Sequence, residues 1–203
     1  MTELSFSEQF LTESVSVLGA IDSQAIESSA QILADVRAKG GRLFILGVGG
    51  SAGHASHAVN DFRKICGFEA YTPTDNVSEL TARINDDGWE TSLASWLEGS
   101  RLAEKDGVLI FSVGGGNKEK GVSVNLIRAM DLALSVRAKI VAVVGRDGGY
   151  AAEAATACVI IPPLYPDRVT PHTEGLCAVV WHLLVSHPVL QLNLTKWEGV
   201  GPQ

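Results

Sequence analysis

No apolar run in the sequence approaches the roughly 18 to 20 residues that a membrane span requires. Cysteine is scarce. Cys66, Cys158 and Cys177 are an odd count with no Cys-x-x-Cys spacing, which argues against a disulfide framework or a cysteine-zinc knuckle, and their apolar flanks mark them as buried thiols. Positive charge is also in short supply: 16 Lys and Arg stand against 23 Asp and Glu, and a net charge of −7 speaks against a nucleic-acid surface, which must neutralise a row of phosphates. A small anionic ligand stays compatible, because it needs only a local nest of donors. The opening MTELSFSEQF has neither a basic stretch nor a continuous apolar one, so no secretion signal and a cytoplasmic location are expected. No solenoid repeat and no low-complexity linker interrupt the chain.

What is present reads as a soluble globular chain of 203 residues, 46% apolar and 19% charged, with room for one sizeable core. A single domain over 1–203 is expected, with 1–38 as an N-terminal helical extension. In that extension Phe6, Phe10, Leu11, Val15 and Leu18, then Ile26, Ile32, Leu33 and Val36, recur at helical spacing and predict two helices. The chain then repeats one grammar three times: a short apolar run, a glycine-rich turn, a helical pattern. The runs are 42–46 before GVGGSAGH, 107–113 before GGGNKEKG and 139–144 before GRDGGY. Strand, turn and helix in that order imply right-handed βαβ crossovers, hence an α/β fold: a three-layer sandwich around a mainly parallel sheet. A further strand is expected at 158–161, stopped by Pro162 and Pro163, and a largely apolar helix at 173–185. Ligands of open parallel sheets bind outside the carboxyl ends of the strands, where all three glycine turns lie.

The first turn places Ser51 at a helix start, where free N–H groups favour phosphate. It lacks the Gly-Lys-Ser/Thr of a Walker loop, and its GxGxxG frame fails at Ala52. His57 and Asp61 follow at i and i+4 on that helix, and Glu174 and His182 stand eight residues apart on the last apolar helix. Two imidazoles and two carboxylates suit zinc or a neighbouring divalent ion. A plain histidine-carboxylate hydrogen bond is the alternative for His57 and Asp61. His54, His172 and His187 are expected as surface or supporting groups.

These segments resemble the SIS-domain phosphoheptose isomerases over most of the chain. GVGGSAGHASHAVND is similar to that family's GNGGSAADAQHxAxE; Asn85, Asp86, Gly88 and Trp89 match its Asn-Asp-x-Gly-aromatic; Gly145, Asp147, Gly148 and Gly149 match GxDGG; and TPHTEGLCAVVWH lines up with TPxIQExHxxxxH. The resemblance implies a SIS fold, a homotetramer with sites between subunits, and aldose-ketose isomerisation of a sugar phosphate, most closely sedoheptulose 7-phosphate. It also implies His57, Asp61, Glu174 and His182 as ligands of a divalent metal, zinc first. Asp61 would move the proton between carbons, and His182 would be the partner acid. Asp61 stands where the family has glutamate, Glu174 where it has glutamine, and Val48 where it has asparagine. A serine-rich STSGNS loop is replaced by Ser112, Val113, Gly114, Gly115, Gly116 and Asn117 followed by KEKG, with Lys118 or Lys120 near enough to supply charge. Ser51, Ser112, Gly114, Gly115, Gly116 and Ser123 are the candidates for the phosphate cradle, and Asp86 and Thr170 for the sugar hydroxyls. Two alternatives stay open: an isomerase of a different ketose phosphate, and a non-catalytic SIS-fold protein that binds a partner protein.

Overall fold

Five short apolar segments form one parallel sheet in the computed structural model, which describes residues 4–200. The strands are β1 (Leu43–Leu46), β2 (Ala70–Tyr71), β3 (Gly107–Ser112), β4 (Lys139–Val144) and β5 (Ala157–Ile160), in the order β2-β1-β3-β4-β5. β1 and β3 are buried at every position, and this is why they read as unbroken apolar runs rather than alternating ones. Side chains still alternate between faces. Leu43, Ile45, Leu109, Phe111, Val141 and Val143 enter one core, while Phe44, Leu46, Val108, Ile110, Ile140 and Ala142 enter the other.

The two cores make three layers. On one face lie α2 (Ser23–Ala38), α3 (Gly50–Lys64) and α8 (Val169–Ser186); on the other lie α5 (Ser92–Gly99), α6 (Val124–Ser135) and α7 (Gly149–Ala154). The N-terminal helices start where local chemistry supplies caps. Ser5 and Glu8 form a reciprocal capping box on α1 (Phe6–Gly19), and Asp22 accepts the Gln24 N–H at 2.9 Å on α2. α2 is a member of the layer rather than an appendage: Ile26, Ala30, Leu33 and Val36 are buried in the core. α1 lies against α8 and leaves Leu11 and Val15 exposed. α8 begins four residues before the expected 173, because Pro171 falls in its first turn, where a missing N–H interrupts no helical bond.

β2, α4 (Val77–Asp87) and α5 have no counterpart in the sequence expectation. A two-residue strand is too short to show periodicity, and it joins the sheet through tertiary contact alone. Its position on the far side of β1 fixes the site. The chain leaves β1 for α3 on one face and leaves β3 for α6 on the other, so a crevice opens between the carboxyl ends of these adjacent strands.

Candidate active site

The crevice holds a cavity of about 490 Å³. Its wall takes Val48 and Ser51 from the first glycine turn, Ser112, Gly114, Gly116 and Ser123 from the second, and Arg146, Asp147 and Gly149 from the third, with Lys120 and Glu174. The expected gathering of the three turns at one edge is what the sheet order produces. Ser51 is buried in the first turn of α3, and Ser112 accepts the Gly115 N–H at 3.1 Å, which fixes its hydroxyl at the base of the loop. Ser123 precedes α6 in left-handed backbone (φ 54°), and Arg146 shares that φ of 54°. Of the four non-glycine residues with positive φ among the described residues, these two line the cavity, and backbone strain of this kind concentrates at working sites.

Gly115 has a different task from the one its sequence position suggests. Its φ is +67°, a Cβ there would lie 1.9 Å from the Gly148 carbonyl oxygen, and its own carbonyl accepts the Ala151 N–H at 2.9 Å. Gly116 accepts the Tyr150 N–H at 2.9 Å. The second glycine turn is thus locked onto the third, and Gly115 packs the loops together instead of lining the cavity. Asp86, on exposed α4, and Thr170, exposed in the first turn of α8, also lie outside the lining. Arg146 is a cation of the cavity wall that the sequence expectation omits, although the turn that carries it lies at the expected edge.

Two helical turns further along α3 and α8, His57, Asp61 and His182 bring one ligand atom each within 4.8 Å of one another. Nε2 of His57 lies 3.6 Å from Asp61 Oδ2, and Nε2 of His182 lies 4.0 Å from the same oxygen. The other ring nitrogen of His182, Nδ1, donates to the Ala178 carbonyl at 2.7 Å, which orients the ring with Nε2 facing Asp61. The rings of His57 and buried Trp181 meet edge-on at 4.7 Å, and Asn60 donates to Asp61 Oδ1 at 2.8 Å. Two imidazole nitrogens and a carboxylate oxygen that share one small space form a donor set that fits a divalent ion. Glu174, the fourth expected ligand, is not part of this group. It faces the cavity instead, its carboxylate against Gly50, whose missing Cβ would meet Oε1 at 2.6 Å.

The remaining histidines sort by surroundings. His187 pairs with Glu27 at 3.1 Å. His172 is not a surface group but part of a buried cluster: its Nε2 lies 3.1 Å from Glu13, and Arg168 holds the same carboxylate through two 2.6 Å hydrogen bonds. The Arg168 hydrogen bonds, with a smaller contribution from His172, hold the Glu13 carboxyl down at about 2. Some 155 residues separate Glu13 from Arg168, and no local pattern announces the pairing. Burial pushes the Cys66 and Cys177 thiols up to about 12 and Cys158 to about 11, which removes all three as nucleophiles at neutral pH.

No profile of a known protein family matches the chain. Individual proteins do. The chain is 32% identical over 197 residues to the lincomycin biosynthesis protein LmbN of Streptomyces lincolnensis, covering 92% of this chain and 70% of that one. It is 30% identical over 183 residues to the phosphoheptose isomerase of Geotalea daltonii, covering 88% of each. Among solved structures, the phosphoheptose isomerase of Neisseria gonorrhoeae superposes with a TM-score of 0.76 over 89% of this chain and 95% of that one, at 22% identity. The fold is common to both, and the sequence similarity over nearly the whole length shows that the chain belongs to the phosphoheptose isomerase family.

Proposed function

We propose that the protein isomerises a ketose phosphate to the corresponding aldose phosphate through an enediol, with sedoheptulose 7-phosphate as substrate. The observation that carries this reading is the pairing, on the same two helices, of a serine- and glycine-lined cavity with a His-Asp-His cluster. Along α8, Glu174 in the cavity wall and His182 in the cluster are separated by about 12 Å of helical rise. That is the scale of an extended seven-carbon chain with a phosphate at one end. The phosphate would rest among Ser51, Ser112, Ser123 and the glycine-turn amides, and the carbonyl end would reach Asp61.

His57, Asp61 and His182 would hold a divalent ion, zinc by its donor preference; when bound, such an ion supplies Lewis-acid polarisation of the substrate carbonyl. Asp61 takes the proton from C1 of the ketose and returns it to C2. His182 gives a proton to O2 and receives one from O1 through Nε2. Nε2 offers one lone pair, so an ion held through His57 and Asp61 would leave His182 free to carry the proton. Asp61 is a methylene shorter than the glutamate of the resembled motif, and His182 on the facing helix lies 4.0 Å from its carboxylate.

The exposed apolar residues Leu4, Leu11, Val15 and Leu18 on and before α1, with Val179 and Leu183 on α8, support assembly into a homotetramer through these helices. Three unpaired thiols fit the reducing cytoplasm. A second reading, an isomerase of a different ketose phosphate, stands beside it, because the chain is also similar to a lincomycin biosynthesis protein. Turnover assays of the purified, zinc-supplemented protein with sedoheptulose 7-phosphate and with the shorter and longer ketose phosphates separate the two. No turnover of any of them by protein with full metal content would remove the isomerase reading.

A further inference from the structure

Between β3 and α6 the backbone makes a detour. Asn117 and Val122 pair as an antiparallel bridge, each N–H donating to the other's carbonyl at 3.0 Å, and Asn117 Oδ1 accepts the Lys120 N–H at 2.7 Å. The turn carries two lysines in opposite circumstances. Lys118 Nζ sits 3.7 Å from the centroid of the Tyr150 ring and 3.3 Å from Asp131, whose carboxylate also accepts the Tyr150 hydroxyl. Its charge is engaged, and it ties the turn to α6 and α7. Lys120 forms no ion pair among the described residues and lines the cavity.

Charge in the cavity wall makes Lys120 decisive. Two cations, Lys120 and Arg146, stand against two carboxylates, Asp147 and Glu174, so the wall is formally neutral with Lys120 and carries −1 without it. Serine hydroxyls and glycine amides supply hydrogen bonds but no full charge. A phosphate monoester approaching a net negative wall meets repulsion where it now meets balance.

We propose that Lys120 selects the phosphorylated sugar by pairing with its phosphate, and that Lys118, clasped by Tyr150 and Asp131, is the positioning residue that holds the 117–122 turn where Lys120 can do so. This rests on the isomerase reading for the identity of the sugar, and on the cavity alone for the phosphate.

Calorimetric titration with inorganic phosphate, followed by kinetics with sedoheptulose 7-phosphate, tests the proposal in the full-length protein. Lys120→Gln is expected to weaken phosphate binding by at least about tenfold, to flatten its salt dependence, and to raise KM with kcat held within about twofold. Lys118→Met should raise KM by a smaller factor, with Lys118→Arg restoring it. Lys139→Gln, which removes an exposed charge at the opposite end of β4, should change nothing. Phosphate binding unaltered by Lys120→Gln, or absent from the wild type, overturns the proposal. Phosphate binding lost in Lys120→Gln while the wild type turns over no ketose phosphate leaves the proposal standing and removes the isomerase reading instead.

Discussion

The Glu174 carboxylate occupies the space where residue 50 would carry its Cβ: an added methyl would lie 2.6 Å from Oε1. Gly50 opens α3 in ordinary helical backbone, so alanine there is acceptable to the helix itself and favours it by up to about 1 kcal/mol. The methyl would displace the flexible end of Glu174 rather than the backbone. Gly50→Ala is therefore expected to melt at the wild-type temperature or above while kcat/KM falls by about tenfold, since the displaced Glu174 carboxylate would disturb the cavity that takes the substrate. Calorimetry and kinetics on one preparation check both halves; a parallel loss of stability and activity would show that Gly50 serves packing alone.

Gly115 gives the opposite pattern. Positive φ and a backbone oxygen 1.9 Å from any Cβ leave no flexible neighbour to yield. Gly115→Ala should destabilise the fold by about 2 kcal/mol or more, read from denaturant midpoints at unchanged slope. It should also loosen the lock between the second and third glycine turns, so phosphate binding should weaken in whatever fraction stays folded.

The cluster of Glu13, Arg168 and His172 joins α1 to α8 and sets a pH dependence. A carboxyl held at about 2 in the folded protein and near 4.5 in the unfolded chain contributes stability that is fully present above 4.5 and is lost as pH falls toward 2. Glu13→Gln should melt below the wild type at pH 7, and the gap should close as pH is lowered through that window. A gap that stays constant from pH 7 to pH 2 would mean that the Glu13 charge contributes nothing.

The proposed assembly through α1 would make its exposed stripe sensitive to charge. Leu11→Glu together with Val15→Asp should leave the buried residues of α1 in place and shift the protein to smaller species in light scattering, with activity falling in step. Full activity in a monomer would dissociate the site from the assembly.

Much of this architecture was legible in the sequence because it rests on local rules. Strands buried on both faces give runs such as that before Gly47, and glycine turns at their carboxyl ends mark the site edge whatever the tertiary detail. The i, i+4 spacing of His57 and Asp61 likewise put them on one face of α3. What local rules could not reach depends on partners distant in sequence. β2 is a strand only because β1 lies beside it, and the Glu13 cluster closes across most of the chain. Glu174 and His182 share a helix and were expected to share an ion, but two turns of rise separate them, and in the structure Glu174 reaches toward Gly50 while His182 reaches toward Asp61. Gly115 was expected in the cradle because glycines near phosphate allow close approach; here the close approach is to Gly148.

The central claim is that Asp61 moves a proton between C1 and C2 beside His57 and His182. Proton exchange at C1 of sedoheptulose 7-phosphate in D2O, followed by NMR for the wild type and Asp61→Asn, tests it most directly, with each protein measured metal-loaded, chelated and reloaded with zinc. The wild type should exchange and isomerise when loaded, lose both on chelation and regain both on reloading. Asp61→Asn should fall by about 10² to 10⁴ in rate. Exchange in Asp61→Asn at the wild-type rate, or none in the loaded wild type, would contradict the claim.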